Sequence, residues 1–193
     1  MSILALTSNT LIGTPASGNI EYDGQFFGTD SNASRAQMQR IVRATAVSAS
    51  GTSVDFTGIP AWVEKITVMF NGVSTSGTSL PLVQIGAGSV TTTGYTSSSA
   101  SVFGTNTTGV TTSTAGFILN DSGATSTRYG IITISSITGN TWVCSHVLGT
   151  ASGANLYGGG AIALGGALDR VRITTVNGTD TFDAGTVNII YEG

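Results

Sequence analysis

WVEKITVMF, residues 62–70, alternates with a period of two: Ile66, Val68 and Phe70 fall on one side of an extended chain, and Lys65 and Thr67 on the other. This is the pattern of a strand with one face packed inward. Outward from it, the same chemistry recurs in LPLVQIG (80–86), TAGFILN (114–120), RYGIITISSI (128–137), NTWVCSHVL (140–148), GAIALGG (160–166), LDRVRITTV (168–176) and TVNIIYE (186–192). Each run is rich in β-branched or aromatic residues and bounded by Gly, Asn, Ser or Asp. The close spacing predicts an all-β fold, an antiparallel β-sandwich or barrel. Asn71-Gly72 and Asn177-Gly178 have the chemistry of type I′ hairpin turns, the second leading through TDTFDAG to the closing strand.

Composition narrows the function. Only 9% of the 193 residues are charged, against roughly 25% in an average globular chain. The mean hydropathy of +0.26 argues against disorder driven by charge. Hydroxyls, amides and glycines must therefore supply the polar surface, and such a surface can be buried against sister subunits without desolvating many ions. A homo-oligomer is expected. The net charge is −3 and Lys65 is the only lysine, so nucleic acid binding is not expected. No apolar run approaches the roughly 20 residues of a membrane-spanning helix, and the opening MSILALTSNT lacks a basic segment before a long apolar stretch. These features predict a soluble chain without a signal peptide. Cys144 is the single cysteine, which leaves stability to packing. Met1 and the closing IIYEG suit a complete short chain.

Two domains are expected: residues 1–43 as an attachment or inter-subunit segment and 44–193 as the β-sandwich. Pro15 and several glycines make the first 30 residues extended or turn-rich. From Ser34, SRAQMQRIVR offers a capping box of Ser34 and Gln37 and admits one short helix. From residue 86 to about 115 small hydroxyl residues dominate around Val90, Tyr95 and Phe103. That region reads as a long loop or a set of exposed edge strands. GTASGANLYGGG (149–160) reads as a second loop.

Candidate chemistry is sparse. Hydrolysis of a glycan needs two carboxyl groups about 5 to 10 Å apart. Asp169, Asp180 and Asp183 are the nearest set, although Asp180 and Asp183 flank a turn, where Asp bonds to backbone. His146, the only histidine, lacks a nucleophile motif beside it. In a regular strand Trp142, Cys144, His146 and Leu148 share a side, as a buried or subunit-facing row or, alternatively, with Trp142 stacking on a glycan beside a polar His146. One chain offers no metal-ligand set, although a trimer could bring three His146 side chains to its axis. Gly158-Gly159-Gly160 has no lysine after it and reads as a loop or bulge, not a phosphate cradle. Tyr95 and Tyr157, in glycine- and hydroxyl-rich stretches, are the better candidates for sugar contact, because a ring face stacks while its hydroxyl bonds. Their other reading is as anchors for long loops. No catalytic residue, cofactor or metal is expected.

LIGTPASGNIEYDGQFFGTDSNASRAQMQRI (11–41) resembles the T-P-x-x-G-x-I-E-Y-D-G leader of phage tail-fibre and related virion proteins, through Thr14, Pro15, Gly18, Ile20, Glu21, Tyr22, Asp23 and Gly24. FTGIPAWVEKITVMFNGVSTSGTS (56–79) and LDRVRITTVNGTDTFDAGTVNIIYE (168–192) are similar to the carboxy-terminal domain of such fibres. The resemblance implies a jelly-roll-like β-sandwich assembled as a homotrimer on the virion, made in the host cytoplasm and attached to other virion proteins at tail or head. It implies host-surface adhesion, with a surface glycan as a possible receptor. A head fibre or capsid decoration without receptor binding and a glycan-degrading tailspike are the alternatives. The region from about 80 to 165 carries no matching motif, and no catalytic residue is carried across.

Overall fold

The computed structural model describes Thr14 and residues 16–22, 25–104, 106–121 and 126–193. The chain divides into two compact units, residues 1–40 and 41–193.

The first unit is a three-stranded antiparallel sheet of β1 (Ile20–Tyr22), β2 (Phe26–Thr29) and β3 (Arg35–Gln37) in sequential order. The helix allowed by the sequence from Ser34 does not form. The Asp30 carboxylate accepts the backbone N–H groups of Asn32 and Ser34, both at 2.9 Å, and Ala33 takes a left-handed φ of 58°. That side chain-to-backbone turn directs the chain back into β3, so Ser34 serves the turn instead of capping a helix. Arg35 then meets Glu21 at 2.6 Å. Ile20, Phe26 and Met38 remain exposed.

The second unit contains β4 (Ile41–Arg43), β5 (Val47–Ser48), β6 (Val54–Thr57), β7 (Lys65–Thr75), β8 (Pro81–Ala87), β9 (Ser89–Val90), β10 (Thr96–Phe103), β11 (Asn106–Ser113), β12 (Phe117–Ile118), β13 (Arg128–Thr138), β14 (Thr141–Thr150), β15 (Ala154–Ala163), β16 (Arg170–Thr175) and β17 (Phe182–Glu192). Two antiparallel sheets enclose one core in a sandwich-like arrangement. The large sheet runs β11-β10-β15-β14-β13-β7-β17-β4, with β5 also on β17; the small one runs β12-β8-β16-β6, with β9 on β8. Residues 41–43, which the sequence reading leaves in the leading segment, pair with Ile190–Glu192 of the closing strand. No helix occurs among the described residues.

Alternation does what the opening stretch predicts. Ile66, Val68 and Phe70 of β7 are buried, as are Ile132 and Ile134 of β13 beside them, and they face Val83, Ile85, Val171 and Ile173 of the small sheet within one core cluster. Burying each such side chain is worth about 1.5–3 kcal/mol. Hydroxyls join the sheets where the apolar residues run out. Ser97 and Ser99 of β10 point inward, and their oxygens accept Ile118 N–H at 3.0 Å and Asn120 N–H at 3.1 Å.

Both predicted type I′ turns are corrected. Asn71-Gly72 lies inside β7 at a bulge: the pairing slips between Phe70 and Val73 against β13, and again between Asn71 and Ser74 against β17. Continuous partners on both sides leave β7 no room to turn, so the positive φ of Gly72 serves the bulge. At Asn177-Gly178 the chain does turn, with Gly178 N–H on the Thr175 carbonyl at 3.0 Å. Asn177 keeps a negative φ, because its Oδ1 accepts Thr179 N–H and Asp180 N–H, and the turn carries the chain from the small sheet to the large one. Of the two readings of residues 86–115, the strand one holds, and the loop predicted over 149–160 is largely strand. The hydroxyl-rich region supplies β9, β10 and β11, and Gly158-Gly159-Gly160 lies in regular register within β15.

Gly185 of β17 has φ 90°, and a Cβ there would overlap the Gly72 carbonyl across the bulge. Gly185→Ala is expected to cost roughly 2–4 kcal/mol of unfolding free energy in urea. Gly149→Ala, whose Cβ would meet only Asn155 Oδ1 at 3.8 Å, is expected to change little.

Candidate functional site

The strand alternation that buries one face of the large sheet presents the other to the exterior. In register across it lie Met69 of β7, Ile131 of β13, Val147 of β14, Tyr157 of β15, Ala100 of β10 and Val110 of β11. Adjacent strands are about 4.8 Å apart, so this apolar row is about 24 Å long. Val147 is 63% exposed, Ile131 48% and Tyr157 43%. On either side the uncharged outward positions of β7, β13, β14, β15 and β10 are Ser, Thr, Asn, Gly, Ala, Val or Tyr, with Ile137 also exposed at the end of β13. On β7, β13, β14, β15 and β10 the one charged side chain on this face is Lys65, paired with Glu192 at 3.2 Å.

At the β10/β11/β15 end of this face is a groove of about 600 Å³. Thr96, Ser98, Thr112 and Thr114 line it from the outer face and Tyr95, Ser97 and Ser113 from the inward positions of the same stretches, and Gly159 is the β15 position between Ser98 and Ser145 of β14. The glycine run explains itself by what it admits. A Cβ on Gly158 would overlap the Ser98 carbonyl and come within 2.6 Å of the His146 ring, and one on Gly160 would come within 3.0 Å of Phe117. The run thus brings β10 and the core side chains close, and at Gly159 it leaves the outer face without a side chain.

Of the four residues considered for sugar contact, Tyr157 alone is exposed. Tyr95 is 2% exposed and belongs to the core: its hydroxyl accepts Ile85 N–H at 2.8 Å and donates to the Ile85 carbonyl at 3.1 Å, with its ring edge-on to Phe117. Burial pushes its phenol up to about 12. Trp142 and His146 share the inward side of β14 with Cys144 and Leu148, all buried, so a glycan cannot stack on Trp142 in this fold. Burial likewise pushes the Cys144 thiol up to about 12.

His146 Nε2 and Ser99 Oγ are 3.0 Å apart, while Nδ1 has no hydrogen-bond partner among the described residues. A Ser–His pair without a carboxylate on Nδ1 lacks the group that orients a catalytic imidazole. The three aspartates are engaged separately. Asp169 binds Arg170 through two contacts of 2.7 and 3.0 Å, which with Gly88 N–H holds its carboxyl below the usual range. Asp180 is held low by Asn177 and Ser79 N–H, and Asp183 accepts the Ser74 hydroxyl. Among the described residues no three His, Cys, Asp or Glu side chains cluster to hold a metal, and no helix is long and apolar enough to cross a membrane.

Sequence reasoning missed the buried ion pair of Arg128 and Asp121, 3.2 Å apart, in which Arg128 also donates to the carbonyls of Asp121 and Ser126. It also missed the groove. The hydroxyls of β10 and β11 were visible, but not that the two strands lie side by side.

Burial pulls the His146 imidazole down from 6.5 to about 4. Between these values the unfolded chain binds a proton that the folded chain does not, so this contribution is fully present above pH 6.5 and is lost as pH falls toward 4. The unfolding free energy of the wild type is expected to fall by about 3 kcal/mol more than that of His146→Gln over this window. Parallel curves from urea titrations would contradict the assignment. No protein-family model, curated protein or solved structure matches the chain.

Proposed function

We propose that this chain is a structural surface module of a bacteriophage virion, tail-fibre-like, that assembles as a homotrimer and serves adhesion to the host surface. The carrying observation is the wide, nearly charge-free outer face of the large sheet with its row of exposed apolar side chains. Single exposed apolar residues are ordinary, but a contiguous row across six strands is the mark of a surface that is covered. Copies that meet on the β13/β14 part of this face desolvate no ions and oppose no like charges.

The resemblance of the leader and of the two flanking blocks to phage fibre proteins supports placement on a virion, and a jelly-roll-like arrangement is the finer form of the sandwich it implies. The leading unit, a small sheet with Ile20, Phe26 and Met38 exposed, suits attachment to other virion proteins. In this reading the protein is not an enzyme, and its contribution is mechanical and adhesive.

Sedimentation at micromolar concentration is expected to give three times the chain mass of 19.5 kDa. Ile131→Glu combined with Val147→Glu is expected to give folded monomers, because each charge would have to be desolvated at the contact. Wild-type monomers at that concentration would contradict the trimer. For adhesion, excess purified chain is expected to slow phage adsorption to host cells; undiminished adsorption would favour decoration of the particle instead.

A further inference from the structure

We infer that β10 and β11 form a flap that opens as a unit while the core of the second unit stays folded, and that its opening uncovers the β15 edge of the large sheet. The device belongs to the single chain and does not depend on the assembly proposed above.

Among the described residues, every strand of six or more residues in the second unit places a side chain in the hydrophobic core except β10 and β11. Their inward positions hold Ser97, Ser99, Thr111 and Ser113 instead. Beside the ladder to β15, hydroxyl and amide bonds fasten the two strands. Ser97 and Ser99 accept Ile118 N–H and Asn120 N–H, and Ser99 Oγ also lies 3.0 Å from His146 Nε2. The Thr111 hydroxyl donates to Asn120 Oδ1 at 3.0 Å, and Asn120 Nδ2 donates to the Gly109 carbonyl at 3.1 Å. Opening exchanges each of these bonds for one to water, so each holds the flap less firmly than a buried apolar side chain would. The ladder is lean as well. Ser97, Ser98 and Ser99 pair with Gly160, Gly159 and Gly158, which offer no cross-strand side chain, and β11 is the edge strand of the sheet.

Both roots of the flap are pinned to the core. Tyr95, just before β10, bonds to the N–H and carbonyl of Ile85, and Phe117, just after β11, meets the Tyr95 ring edge-on at 5.1 Å. Tyr95 N–H also reaches the Thr114 carbonyl at 3.1 Å, and Gln84 Nε2 holds the Ala115 carbonyl at 2.8 Å. This clasp of two buried aromatic rings closes the core at the base of the flap, so β10 and β11 can lift without breaking it. Lifting exposes the backbone edge of β15, Ala154–Ala163, ten residues without the charge or proline that blunts most natural edges. An extended chain can add a strand to such an edge.

The test is residue-resolved amide hydrogen exchange of the full-length protein in urea too dilute to unfold it. Amides that bond β10 to β11 and to β15 are expected to exchange on the order of a hundredfold faster than those that bond β7 to β13, with little dependence on urea, because a flap exposes little surface. Successive amides of β15 point to opposite neighbours, so protection should alternate along it: those directed at β10 exchange with the flap and those directed at β14 with the core. Two variants separate opening of the flap from unfolding of the whole. Ile134→Val removes a methyl group from the core that the closed and open forms share, so it should speed exchange in β7 and β13 several-fold and leave β10 and β11 unchanged. Ser99→Ala weakens the closed form alone, so it should speed exchange in β10 and β11 about tenfold. Thermal unfolding of each variant establishes that it is folded. Equal exchange rates in β10 and β7, or an Ile134→Val variant that speeds β10 as much as β7, would mean that the two strands unfold only with the whole chain and would overturn the inference; uniform protection along β15 would overturn the uncovering of its edge.

Discussion

Apolar contact between two antiparallel sheets is the constraint on which the rest of the second unit depends. Ile66, Val68 and Phe70 of β7 sit near the middle of the large sheet, flanked by β13 and β17, and face the strands of the small sheet. Deleting a methylene from such a core costs stability because the surroundings relax only in part. Few charges are available to stabilise this chain from outside, so polar satisfaction falls to hydroxyls and amides. Ser97 and Ser99 satisfy backbone N–H groups across the sheet junction, and Asn177 does the same at the turn between sheets. A hydroxyl that loses its partner in such a place costs about 1–3 kcal/mol, comparable with a core truncation.

The class and most strands were legible in the sequence because period-two burial is a local property. WVEKITVMF, NTWVCSHVL and LDRVRITTV each needed only their own alternation to be read. Where the reading went astray, a partner distant in sequence decided the outcome. Asn71-Gly72 has the side chains of a hairpin turn, yet β13 and β17 pair on both sides of it and convert it to a bulge. SRAQMQRIVR has helix-forming side chains, but the Asp30 carboxylate captures the backbone first. Glycine misled in a different way. Gly158-Gly159-Gly160 looked like a loop because glycine is permissive, whereas its use here is to lack a side chain where β10, His146 and Phe117 approach.

The site followed the same division. Tyr157 was identified from its glycine-rich setting, and so was Tyr95, yet one is exposed on the outer sheet face and the other is locked to Ile85 in the core. Composition could not separate them, because burial depends on which sheet face a strand position meets. Trp142 and His146 were correctly placed on one side of their strand, and that side proved to be the interior. The groove itself joins residues 95–98, 112–114 and 159–160, a juxtaposition that arises only from the order β11-β10-β15.

A low-charge sandwich with an apolar row on its outer sheet face makes physical sense as one part of a larger assembly, and placement on a phage particle is the central claim. Immunogold electron microscopy of phage particles whose genome encodes the chain, with antibody raised against residues 41–193, tests it most directly. The account predicts label on the particle, concentrated at distal tail appendages. Particles without label, in a lysate where the free protein is abundant, would contradict it.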